Sequence, residues 1–156
     1  MREDLMRQAI EEARAGVLKG DGGPFGAVVV KDGRVLAKEH NTVLRDNDPT
    51  CHAELKAVSK ASGKLSSYDL SGCELYTTTE PCPMCFAAIH WARIRKLIFG
   101  TRIDDVARLG FNELILPAEH MKRKGGSGVI IEADHMRREC LDLLEFWSSL
   151  PDSKVY

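Results

Sequence analysis

With 156 residues, 44% of them apolar, the chain can bury a sizeable core without disulfide help. Its formal net charge of −1 at pH 7 argues against a domain whose main work is gripping a phosphate backbone, because such domains carry a clear basic excess. No apolar run reaches membrane-spanning length, the first residues read as an amphipathic helix and not an export signal, and five cysteines, an odd number, point to unpaired thiols in a reducing cytoplasm.

Leu5, Met6, Ala9, Ile10, Ala13, Val17 and Leu18 recur at helical spacing and predict a helix from Arg2 to Lys19, ended by Gly20-Asp21-Gly22-Gly23. Phe25 to Lys31 and Arg34 to Glu39 read as strands joined by Asp32-Gly33, a hairpin pair. Pro49 biases the residue before it away from helix, after which Cys51 to Ala61 reads as a helix with His52 and Glu54 in its first turn. A strand from Glu74 to Thr78 leads to a second helix, opened by Pro81 and running through Ile89 and Trp91. A strand from Lys96 to Gly100 and a short helix near Asp104 to Leu109 follow. Beyond Pro117, Gly125-Gly126-Ser127-Gly128 reads as a loop, Val129 to Glu132 as a short strand, and Asp134 to Ser148 as an amphipathic helix capped by Asp134. Lys122-Arg123-Lys124 and Arg137-Arg138 read as solvated faces, Cys73 and Cys140 as buried small apolar residues. Alternating strands and helices imply a layered α/β domain with helices on both faces of a sheet. No segment repeats, and residues 1–156 read as one domain with 149–156 as a tail.

His52-Ala53-Glu54, followed thirty positions on by Pro81-Cys82-Pro83-Met84-Cys85, carries the chemistry. Two thiolates and an imidazole fill three tetrahedral positions of a zinc ion and leave the fourth for water, as catalytic zinc sites do. Cys82 and Cys85, three apart, share one helix face, and the positive potential at a helix N-terminus favours the thiolate form. The Cys-x-x-Cys pair alone reads equally as a redox couple. Joined to His-x-Glu, it is the signature of zinc nucleobase deaminases, in which the glutamate is general acid and base and not a ligand. Without that context Glu54 reads as a solvated helix residue.

Gly22-Gly23-Pro24-Phe25-Gly26-Ala27-Val28, Asn47 to Glu54, Tyr76 to Cys85 and Ala88 to Arg93 together resemble the cytidine/deoxycytidylate deaminase superfamily. Within it, Leu109-Gly110-Phe111-Asn112-Glu113 and a tail ending in Tyr156 resemble bacterial guanine deaminases more than tRNA adenosine deaminases. The resemblance implies a three-layer α/β/α fold with a mixed central sheet of about five strands. It also implies a Zn2+ cofactor on His52, Cys82 and Cys85, catalysis by Glu54 and Glu113, and contacts to a small nucleobase from Phe25, Asn41, Trp91 and Tyr156. The implied reaction is guanine to xanthine plus ammonia, with guanosine, cytosine or tRNA adenosine as other substrates and a non-catalytic zinc-binding domain as the reading from another class. A homodimer that exchanges its C-terminal tails follows from the same resemblance, while the absence of a membrane-length apolar run and the near-neutral charge point away from membrane and nucleic-acid partners. Two positions depart from the family pattern: Glu113 stands where aspartate is usual, and Cys51 replaces an alanine. Read from the residues alone, Asn41 is a turn residue, Phe25 strand core and Glu113 a solvated carboxylate.

Overall fold

A computed structural model describes all residues from Met1 to Tyr156. Five strands, β1 (Gly26–Lys31), β2 (Arg34–His40), β3 (Cys73–Thr79), β4 (Lys96–Thr101) and β5 (Ile130–Glu132), form one sheet in the order β2-β1-β3-β4-β5. β1 is antiparallel to both β2 and β3, whereas β3, β4 and β5 run parallel. The sheet is mixed, as expected. The β1–β2 hairpin turns through Asp32 and Gly33 at φ 48° and 75°, the doubly positive φ that such two-residue turns require.

Side chains of β1 alternate between two cores, because successive residues of a strand point to opposite faces. Val28 and Val30 join Tyr76 and Ile98 against Met6, Ala9 and Ile10 of α1 (Arg2–Lys19), with Cys140 and Leu143 of α7 (Arg137–Ser148). Ala27 and Val29 join Leu75, Leu97 and Phe99 against Ala53, Ala57 and Ala61 of α3 (Ala53–Leu65) and Phe86 and Ile89 of α4 (Pro83–Trp91). Helices therefore cover both faces, which gives the α/β/α layering read from the sequence. Cys73 and Cys140 are buried, as expected, and no cysteine is paired. No helix is long and apolar enough to cross a membrane.

The differences from the sequence reading lie at helix ends and in short elements. α3 starts at Ala53 and α4 at Pro83, so His52 and Cys82 are N-cap residues in extended conformation, and Pro83, not Pro81, takes the first-turn position. Asp134 does not cap α7. It sits at φ 62° and accepts a hydrogen bond from Arg102 Nε at 3.2 Å, while Met136 holds the cap position. Arg137 is no solvated face either: its guanidinium forks onto Asp105 at 2.7 and 3.0 Å. Three helices lacked a sequence signal or a clear boundary: α2 (Val43–Asp46) is a single turn, α5 (Ile103–Ala107) is shorter than expected, and α6 (Ala118–Gly125) buries only Ala118, leaving no apolar stripe to read. The sheet's β5 edge is three residues long, and Glu132 at its end is met by Arg2 Nη2 at 2.9 Å and Lys96 Nζ at 2.7 Å.

Gly26 lets α1 lie directly on β1: a Cβ there would fall 2.1 Å from Ala9 O and 2.9 Å from Ala13 N, both backbone atoms that cannot swing aside. Gly26→Ala is therefore expected to lower stability by roughly 1–3 kcal/mol, the usual cost of overpacking. The check is a urea midpoint shift at constant m-value; a midpoint equal to the parent's would show that α1 can yield without cost.

Candidate active site

Two helix N-termini and the end of a strand meet at one point. His52 caps α3 with its backbone and makes no side-chain cap bond, and Cys82 does the same at α4. Both side chains are thus free to turn toward each other. Cys82 Sγ lies 3.6 Å and Cys85 Sγ 3.5 Å from His52 Nδ1, and the three donor atoms all fall within 4.8 Å of one another. Zinc bonded at its usual lengths to nitrogen and sulfur in a tetrahedron separates those atoms by about 3.6 Å, so this donor set fits a zinc ion. The proton distribution supports the same conclusion: the Cys85 thiol beside it, with help from His52, holds Cys82 down to about 4, while Cys82 and burial push Cys85 up. A cation bound here would favour the thiolate form of both sulfurs.

Glu54, at the second position of α3, is 6% exposed. Its Oε1 accepts a hydrogen bond from the Thr77 hydroxyl of β3 at 3.1 Å, and its Oε2 lies 3.6 Å from Cys85 Sγ. Burial raises its pKa, and the Cys82 sulfur adds to the rise while His52 opposes it. It stands beside the ligand atoms without joining their group, which is the position a proton carrier needs.

A cavity of about 260 Å³ opens over this group. Its aromatic walls are Phe25, Phe111 and Tyr156, with Phe111 at the hub: ring centres lie 5.3 Å from Phe25, 5.3 Å from Tyr156 and 5.0 Å from Trp147. Asn41, 1% exposed, lines it as well. Asn41 Oδ1 accepts the Val43 N–H at 3.0 Å, which fixes the amide, and its side chain also hydrogen-bonds Tyr156. Gly22 packs on this amide so closely that a Cβ would lie 2.1 Å from Oδ1. Glu113, half-buried, lines the cavity too, and burial followed by the Cys82 sulfur raises its pKa to about 7. The tail folds back over the opening: the Tyr156 hydroxyl accepts the Gly23 N–H at 3.1 Å, its carbonyl accepts the Asn112 N–H at 3.2 Å, and burial raises the phenol's pKa.

Of the residues singled out from sequence, His52, Glu54, Cys82, Phe25, Asn41, Glu113 and Tyr156 line this one cavity, and Cys85 adjoins it through His52 and Glu54. Trp91 does not. It is 80% exposed at the end of α4, because six residues past Cys85 is two-thirds of a turn off its face and more than a turn farther along the helix. Within one chain Phe111 supplies the wall expected of Trp91. Thr77 and Glu80 also went unremarked; a threonine in a strand and a glutamate before a proline carry no distinctive signal of their own.

The zinc-binding region that defines the cytidine and deoxycytidylate deaminases matches residues 1–101. The guanine deaminase of Bacillus subtilis is 45% identical over 154 residues, which is 99% of this chain and 98% of that protein. A tRNA-specific adenosine deaminase of Aquifex aeolicus is 44% identical over 99 residues, 64% of this chain and 65% of its own. Among solved structures, the guanine deaminase of Nitrosomonas europaea superposes with a TM-score of 0.88 at 34% identity, covering 96% of this chain and 86% of that one. NE0047 bound to 2,6-diaminopurine gives 0.86 at 34% identity, over 97% and 83%. The B. subtilis enzyme, 46% identical in its superposed part, gives 0.70 over 72% of each chain. With this whole-chain similarity, the zinc-fitting donor trio and a buried acid beside it, the chain belongs to the cytidine and deoxycytidylate deaminase family.

Proposed function

We propose that this protein hydrolyses free guanine to xanthine and ammonia. The observation that carries the reading is the small, tail-covered cavity over Glu54: about 260 Å³ falls below the range of about 300–1,000 Å³ found for drug-sized ligands. Such a space suits a bare base better than a nucleoside or an RNA loop. The purine analogue bound by NE0047 and the names of the full-length relatives support the same choice.

His52, Cys82 and Cys85 would hold zinc, which when bound supplies the Lewis acidity that makes water a nucleophile at neutral pH. The remaining work falls to side chains. Thr77 holds Oε1 of Glu54, so Oε2, whose other neighbour is Cys85 Sγ, a ligand that would be a thiolate on the metal, is the oxygen to take a proton from the attacking water. Burial favours its protonated form, so Glu54 can pass that proton to a ring nitrogen and a further one to the departing amine, the task of a single positioned acid–base group. One water is consumed, the bond from C2 to the exocyclic nitrogen breaks, and a lactam and ammonia remain. Asn41 offers an amide donor and a remaining acceptor lone pair to the base edge. Phe25 and Phe111 pack on the ring, and Glu113, with a pKa near 7, can bind a ring N–H or relay a proton. A purely structural zinc site has no use for a buried carboxyl beside the metal ligands, which weighs against a non-catalytic domain.

We also propose a cytoplasmic homodimer in which residues 149–156 cross between copies. The Tyr156 contacts to Gly23 and Asn112 can be made by either chain's tail.

Ammonia release is to be measured over guanine, guanosine, cytosine, adenine and a tRNA anticodon stem. Guanine is expected to be preferred, and a substrate turned over only on sugar or RNA would replace it. Glu54→Ala is expected to lower turnover about 100- to 10,000-fold with zinc content unchanged; near-parental turnover would refute the acid–base role. Deleting Pro151 to Tyr156 is expected to cut kcat/KM for guanine by about tenfold, equivalent to roughly 1.4 kcal/mol, again with zinc retained. Unaltered kinetics would reject the tail as a cover.

A further inference from the structure

Glu80 is a buried acid that the chemistry above does not employ. It follows β3 and stands two residues before Cys82, 6% exposed. Both of its oxygens are taken: Oε2 accepts the Ile103 N–H at 3.1 Å, and Oε1 accepts the Ala118 N–H at 2.8 Å. Ile103 is the first residue of α5 and Ala118 the first of α6. First-turn amides have no partner inside their own helix, and a carboxylate at such an end is electrostatically favoured. One side chain thus closes the starts of two helices. Its own N–H donates to Thr101 O at 2.7 Å, which anchors the acid to the end of β4.

Most of what lies between those two amides is irregular chain. After α5, residues 108–117 form no helix or strand, Gly110 sits at φ 102°, and Phe111, Asn112, Glu113 and Leu114 reach the cavity wall. Past Glu113, Leu114 and Ile115 are largely exposed, and the Leu116 N–H bonds only back to Leu114 O at 2.8 Å. The first backbone amide after Glu113 that is tied to the body of the protein is therefore Ala118, and its partner is Glu80.

We propose that Glu80 is a positioning residue for Glu113: by holding the first amides of α5 and α6 on one carboxyl group, it fixes both ends of the loop that carries Glu113 relative to the cysteine-bearing helix. Glu80 borders the cavity, but each of its oxygens already accepts a backbone N–H, so its action runs through the loop it holds. The kinetic part of this inference rests on the reading of Glu113 as a participant in turnover; the placement of the loop does not.

Glu80→Gln keeps the volume and one oxygen acceptor but turns an NH2 group toward the other amide. Hydrogen exchange across residues 109–116 is expected to speed up while α4 keeps its protection, and zinc content stays at the parental value. With guanine, kcat is expected to fall roughly tenfold or more, as misplacement of a reacting group does, with KM nearly unchanged. In a Glu113→Gln background the same substitution is expected to add little, since two residues acting through one contact couple in a double-mutant cycle. An equal loss in both backgrounds overturns the proposal, because Glu80 would then act elsewhere, for instance through Cys82. Unchanged exchange across the loop overturns it as well. Parental turnover in Glu113→Gln alone would instead refute the role of Glu113, and the exchange result tells the two failures apart. If Glu80→Gln does not fold, Glu80→Asp, one methylene too short to span both amides, is put through the same measurements.

Discussion

The site depends on two helices that begin at the same point. α3 starts after His52 and α4 after Cys82, and each helix presses an apolar face into the core beneath the sheet. The partial positive charge at both starts favours the sulfur anions that a divalent metal needs. Because the caps are made by backbone geometry and not by side chains, imidazole and thiol remain available as ligands. Moving either helix by an ångström would break the 3.5–3.6 Å spacing between His52 Nδ1 and the two sulfurs, so the packing of Ala53, Ala57, Phe86 and Ile89 is part of the metal chemistry.

Burial of Glu54 is the second constraint, and it opposes the first. A carboxyl group enclosed among core residues resists ionisation, while the cation that the neighbouring donors fit would favour it. Burial thus holds Glu54 toward its protonated form, and a bound cation would pull the other way. Thr77 engages one of its oxygens, and Cys85 Sγ lies beside the other. The aromatic cluster on Phe111 then links this centre to Trp147 of α7 and to the tail, so the cavity wall and the last helix form one packed unit.

The sequence was most informative where chemistry demands particular residues at close spacing. His52, Glu54, Cys82 and Cys85 stand out because no ordinary helix needs that set, and the β1–β2 turn stands out because doubly positive φ admits few residue types. The wider layering follows from alternating periodicities. What stayed hidden depends on contacts between distant segments: Glu80 meets Ile103 and Ala118, Arg137 meets Asp105, and Asn41 has its oxygen fixed by Val43. Trp91, expected against the base from the family resemblance, stands exposed at the end of α4 within the single chain. α6 left little trace in the sequence because only Ala118 is buried and Met121 partly so, with no stripe of apolar residues to announce it.

The short β5 edge bears on how the molecule avoids its own kind. Parallel strands leave open peptide groups along a border, and such a border invites a stray chain to add on and start a fibre. Here that border offers three residues, and Glu132 at its end gathers Arg2 and Lys96 around it. A newcomer would have to strip water and counter-charges from that cluster before pairing, so the first helix, by lending Arg2, also guards the far margin of the sheet against self-templated growth.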